Sequence, residues 1–130
     1  MALDRWLPWS VPGRATATAL GLVLIAAGVT VAAWAVSSVV RHRTTIVPHH
    51  AVTTLLTTGP FARSRNPMYT GLAVIYLGVS FVLGSLWPVV LLPGVLALVG
   101  RLVVHREEAY LAVRFGAQYD AYREHVRRWI

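Results

Sequence analysis

Thr57-Thr58-Gly59-Pro60-Phe61-Ala62-Arg63-Ser64-Arg65-Asn66-Pro67-Met68-Tyr69 is a polar, arginine-bearing stretch that runs without a linker into an apolar segment of membrane grade. Gly59-Pro60 forbids a continuous helix through the loop. Asn66 before Pro67 is a helix start. Asparagine is a good N-cap, and proline suits the first helical position, where its missing N–H is no loss. The pattern predicts a helix over residues 67–83, just long enough to span the hydrocarbon at about 1.5 Å per residue. An all-α, polytopic integral membrane helical bundle follows from that reading.

Upstream, residues 15–40 form an apolar run stopped by Arg41 and Arg43. It far exceeds the core of a secretory signal, about 7–15 residues, so it reads as the first transmembrane helix. Residues 1–14, with Trp6 and Trp9, form an interfacial lead, and 41–66 form a polar, cytosolic connection. Downstream, Gly84-Ser85 is a chargeless hairpin turn, and residues 86–104 read as a third transmembrane helix that Pro93-Gly94 should kink. That helix can run on to Phe115, with Gly116 as its cap. Residues 105–130 form a cytosolic tail in which Tyr119, Tyr122, Val126 and Trp129 recur at helical spacing, which predicts an amphipathic C-terminal helix. About three transmembrane helices and this tail make one domain, 1–130.

The composition agrees with a bilayer. Of 130 residues 56% are hydrophobic and 13% charged, and the mean hydropathy is +0.59, too apolar for an ordinary soluble domain. The chain has no cysteine, which excludes disulfides, Cys-ligated zinc and iron–sulfur clusters. Its net charge of +7 comes from arginine alone and suits anionic headgroups and topology rather than nucleic acid. Arg41, Arg43, Arg63 and Arg65 follow the first span and six more arginines start at Arg101, whereas the hairpin turn has none. The positive-inside rule then puts loop and tail together on the cytosolic side of the inner or plasma membrane.

Two polar clusters therefore share one surface. The first N–H groups of helix 67–83, with the positive end of its dipole, favour a carboxylate or phosphate; a well-capped helix with snorkelling arginines is the plainer account. In the second cluster, offsets of four and seven from Arg101 place His105 and Glu108 on one helical face, with Glu107 pointing elsewhere. Two carboxylates facing different ways suit a ribose diol and an ammonium or sulfonium group; on their own, a stop-transfer cap with weak ion pairs is the favoured account. His42, His49, His50, His105 and His125 have no metal-ligand spacing, so no metal is expected.

Taken together, the residues resemble the isoprenylcysteine carboxyl methyltransferase family, related to membrane phospholipid methyltransferases. The resemblance is carried by Thr53-Thr54-Leu55, Thr57-Thr58-Gly59-Pro60-Phe61, Arg65-Asn66-Pro67-Met68-Tyr69-Thr70-Gly71, and Glu107-Glu108-Ala109-Tyr110-Leu111 through Phe115-Gly116 to Tyr119 and Tyr122. It covers about residues 44–122, in order and with an apolar hairpin between the blocks. It implies a membrane enzyme that takes S-adenosylmethionine from the cytosol. The cofactor-binding residues it implies are Thr53, Thr54, Leu55, Leu56, Phe61, Asn66, Pro67, Met68, Tyr69, Glu107 and Glu108. Arg101 is the nearest match to a substrate-site arginine of the family, although its spacing to Glu107 departs from the pattern. Asn66 stands where eukaryotic members have histidine, which keeps donor and acceptor but removes any acid–base role there.

The expected reaction is methyl transfer to a lipophilic or prenylated acceptor, with membrane lipids as surroundings and no nucleic acid as partner. Carboxyl O-methylation of an isoprenylcysteine-like compound stands ahead of phospholipid or small-lipid N-methylation. A carboxylate nucleophile needs no general base, whereas an amine must lose a proton, for which His105 is the candidate. A non-enzymatic membrane scaffold and a reductase of the sterol-reductase type are the remaining readings; the latter would want a nicotinamide phosphate site, and no dedicated basic pocket for one is visible.

Overall fold

The computed structural model describes Arg5, residues 13–41 and residues 55–129. Most of the lead 1–14, the loop residues 42–54 with Thr53 and Thr54, and Ile130 lie outside the described residues. The described chain is helical, with no β-strand. Helix α1 covers Arg14–Arg41, a 3-10 turn covers Gly59–Ala62, and α2 covers Pro67–Leu83. Helix α3 runs Trp87–Phe115 and α4 runs Ala117–His125.

Two of these, α1 and α3, are long and apolar enough to cross a membrane, with mean hydropathies of 2.3 and 2.0. Only 17% and 11% of those windows are buried inside the protein, whereas the core helix of a soluble protein would be mostly buried. Leu22, Val23, Val40, Leu72, Leu83 and Leu98 all face outward. An outer surface of this kind is stable only against something equally apolar. Helix α2 is shorter but comparably apolar.

Glycine decides how α1 and α2 meet. A Cβ added at Gly28 would stand 2.6 Å from the carbonyl oxygen of Gly71, and one at Gly21 would stand 2.6 Å from that of Gly78. The reciprocal distances, Gly71 to Gly28 and Gly78 to Gly21, are 2.8 and 2.6 Å. The two helices thus run antiparallel with backbones in direct contact along a two-glycine seam, the small-residue packing that suits helices lacking a hydrophobic driving force between them. Gly84 ends α2 in the left-handed region (φ 71°), and its N–H is shared between the carbonyls of Ser80 and Phe81. The buried Ser80 hydroxyl donates to the Ser85 carbonyl and fastens the chargeless turn into α3.

The third helix runs on to Phe115 with Gly116 after it, the continuation that the sequence allowed. It runs through Pro93 and also widens further on into a π-helical turn at Gly100–Val104, where the His105 N–H reaches the Gly100 carbonyl. Gly116, at φ 55°, then turns the chain into α4. The amphipathic helix ends at His125; Val126, the extended C-cap, still packs with Tyr119 and Tyr122 as the stripe predicts, whereas Trp129 lies beyond the helix. The carbonyls of Arg127 and Arg128 instead find donors across the fold, which outcompetes another helical turn.

Candidate functional site

The loop before α2 is shaped by its own hydroxyls and by α4. Tyr119, Tyr122 and Val126 form a small core, with Leu55, Leu111, Ala112 and Phe115 packed on it. The Tyr122 hydroxyl leaves this core to donate to the Phe61 carbonyl at 2.6 Å, with the Ser64 carbonyl at 3.4 Å. Burial pushes both tyrosine hydroxyls above their ordinary ionisation range, Tyr122 most strongly. One aromatic core thereby fixes the turn that precedes α2.

Asn66 occupies the N-cap position but does not cap with its side chain. Its backbone N–H donates to Ser64 Oγ (3.1 Å), and its Nδ2 donates to the Arg128 carbonyl (3.0 Å). The neighbouring Arg65 N–H donates to the Arg127 carbonyl at 2.9 Å. The Thr70 hydroxyl lies 2.9 Å from the Asn66 carbonyl and 3.2 Å from that of Trp129. Residues 127–129 thus form an extended strap laid over the start of α2. The capping role expected of Asn66 is replaced by a tie to this strap.

Charge completes the arrangement. The Glu108 carboxylate receives Arg128 in a two-pronged contact, Nε to Oε1 at 2.9 Å and Nη2 to Oε2 at 2.8 Å. Arg65 Nη1 approaches the same carboxylate at 3.3 Å and donates to the Tyr119 hydroxyl at 3.3 Å. The Arg65 and Glu108 side chains are 12% and 14% exposed, so this pair is far better shielded than a surface bridge. The hydrogen bond to Glu108 holds the Arg128 guanidinium still more firmly protonated. Arg65 Nε is buried with no partner among the described residues. Next to this group, the Tyr69 hydroxyl donates to Glu107 Oε1 at 3.2 Å. The second Glu107 oxygen has no partner among the described residues.

The sequence-derived candidates fall into three places. Asn66 and Glu108 belong to one polar group joined through Arg128, and Tyr69 and Glu107 form a separate pair beside it, at the junction of loop, α2, α3 and strap. Arg101 and His105 line an adjacent cleft of about 410 Å³, with Ala97, Gly100, Arg128 and Trp129. Leu55 and Leu56 lie behind the loop, Leu55 against the tyrosine core. Pro67 is buried at the first position of α2, Met68 follows it, and Phe61 contributes its carbonyl. Thr53 and Thr54 are outside the described residues. No group of three or more His, Asp or Glu side chains that could hold a metal occurs among the described residues.

Four contributors escaped the sequence reading: Arg65 as the partner of Glu108, Tyr119 as its support, and Arg128 and Trp129 as the strap. Arg65 sits inside a motif that was quoted, so its place was within reach. Nothing local marks Arg128, because no glycine or proline announces the end of α4.

A smaller cleft of about 160 Å³ is lined by Thr70, Ala73, Val74, Leu77, Leu96 and Trp129, between α2 and α3. Chemically, the region offers a carboxylate oxygen of Glu107 and a basic cleft lined by Arg101, His105 and Arg128, with an apolar cleft beyond Trp129. Residues 16–118 match a family model described as phospholipid methyltransferase. No curated protein and no solved structure matches the chain significantly.

Proposed function

The chain belongs to the phospholipid methyltransferase family, a family of membrane methyltransferases, and on that premise we propose that it moves a methyl group from S-adenosylmethionine to a lipophilic acceptor. The observation that carries this reading is the junction itself. Tyr69 with Glu107, and Arg65 with Glu108, join the first turn of α2 and the loop before it to the far half of α3. In the proposed topology α2 also crosses the bilayer, which makes three spans, and the junction and α4 face the cytosol of the inner or plasma membrane.

S-adenosylmethionine fits the donor groups at hand. The Glu107 oxygen that Tyr69 leaves free suits a hydroxyl or ammonium group of the donor. Asn66, Tyr69, Glu107 and the loop residues Leu55, Leu56 and Phe61 would hold it. When bound, it supplies a methyl group made electrophilic by a sulfonium centre. Glu108, held by two arginines, acts in this reading as the fastener of the site and not as a partner for a cation. The protein's work is orientation and exclusion of water: the strap covers the start of α2, the tyrosine core fixes the loop, and Arg101 and His105 face the acceptor.

Carboxyl O-methylation of an isoprenylcysteine-like acceptor is the leading form, because Arg101 and Arg128 suit a carboxylate, and such a nucleophile needs no base. Phospholipid N-methylation is the second form, favoured by the description of the matching family and by His105 in the same cleft, placed to take the proton of an amine. Calorimetry of the detergent-solubilised protein with S-adenosylhomocysteine tests the donor. Saturable binding weakened by Glu107→Gln supports the enzyme, and no binding by folded protein returns the scaffold reading. Isoprenylcysteine analogues and amine phospholipids offered with labelled methyl donor then separate the two forms.

A further inference from the structure

Trp129 lines both clefts, the basic one with Arg101, His105 and Arg128 and the apolar one with Leu77 and Leu96. It is held there by the strap. The Arg128 carbonyl takes the Asn66 amide at 3.0 Å, and the Trp129 carbonyl lies 3.2 Å from the Thr70 hydroxyl. The apolar cleft extends along α2 from Thr70 to Leu77, seven residues or about 10 Å at the helical rise. No acidic side chain among the described residues lines either cleft.

From this arrangement we infer that Trp129 is a specificity-determining residue. It is the partition at which an acceptor's anionic head is separated from its single apolar chain. The head stops among Arg101, His105 and Arg128, and the chain passes the indole into the slot between α2 and α3. Charge argues for the head, since two arginines and a histidine stand there and Glu108 neutralises one arginine at most. Size argues for one chain, since a slot of about 160 Å³ beside the indole is too narrow for two. The inference rests on the proposed enzyme only for the word acceptor; occupancy of the site by an amphiphile can be read without methyl transfer.

The test uses 9,10-dibromostearic acid, whose bromines quench a nearby indole. It is titrated into the full chain in uncharged maltoside micelles, for wild type and for Trp129→Phe, which keeps an aromatic wall. The chain has five tryptophans, so Trp129 supplies about a fifth of the emission. Expected is a saturable quenching component present in wild type, absent from Trp129→Phe, and reversed by unbrominated stearic acid. Dibromostearyl alcohol, which lacks the charge, should need at least tenfold more to reach the same quenching. Identical curves for the two proteins, or quenching that rises with micellar loading without saturation, overturn the partition. Equal potency of acid and alcohol overturns the anionic head. If quenching behaves as expected while no methyl transfer is found with any acceptor, the enzyme reading falls and the site remains.

Discussion

Gly28 and Gly71 touch through their backbones: a methyl group on either would stand within 2.8 Å of the other's carbonyl oxygen. Such a contact leaves no flexible atom to give way. Gly28→Val or Gly71→Val should force α1 from α2 and cost more than about 3 kcal/mol, the upper end of ordinary overpacking. The thermal midpoint in detergent would read the loss. A Cβ at Gly94, inside α3, would meet nothing within 4 Å, so Gly94→Ala should add about 0.5–1 kcal/mol of helix propensity and raise the midpoint. Equal effects at both sites would remove the seam from the account.

Glu108 is more exposed to loss than either partner. Glu108→Ala leaves Arg65, 12% exposed, beside no counter-charge, and should destabilise by about 2–3 kcal/mol. Arg128→Ala leaves Glu108 with Arg65 and should cost only about 1 kcal/mol. A double-mutant cycle across Glu108 and Arg128, followed by urea unfolding, should return a coupling of about 0.5–2 kcal/mol. A coupling indistinguishable from zero would mean the strap is not anchored by charge.

Tyr69→Phe keeps the ring and deletes the hydroxyl that steadies Glu107. S-adenosylhomocysteine affinity should fall by about tenfold, roughly the 1.5 kcal/mol of one hydrogen bond to a charged group. Glu107→Gln should weaken it further. Calorimetry at constant detergent concentration checks both, and unchanged affinity in both variants would take Glu107 out of the donor site.

Tyr122 gives the fold an alkaline limit. Its hydroxyl ionises later in the folded protein than in the unfolded chain, chiefly because burial disfavours the phenolate. The unfolded chain binds fewer protons above about pH 10, so the contribution is complete below that pH and is lost as pH rises towards the folded value. Tyrosinate absorbance should show a late component that Tyr122→Phe abolishes. At neutral pH the same variant should lose about 1 kcal/mol with the hydrogen bond to Phe61.

Much of this was legible along the chain, and the failures have causes. Pro67, Gly84 and Gly116 mark helix ends through backbone rules that hold in any context, and α1 and α2 lie within a residue of where those rules place them. The pairing of Tyr69 with the glutamates was foreshadowed by placing both polar clusters on one side. The π-helical turn was not, because Gly100-Arg101-Leu102-Val103-Val104 reads as plain helix and its extra width is a tertiary compromise. That turn also alters the helical-wheel relation of Arg101 to Glu108, which assumed uniform α spacing. The strap eluded prediction for a similar reason: what bends residues 126–129 is an acceptor–donor match with Arg65, Asn66 and Thr70, some sixty positions earlier.

Translation order gives the strap one more meaning. Arg128 and Trp129 are synthesised after α1, α2 and α3, so Asn66 and Glu108 meet their strap partners only once those three helices have been made. The wall shared by the two clefts therefore assembles only after the helices it spans, and a chain lacking residues 127–129 would keep those helices and leave both clefts open.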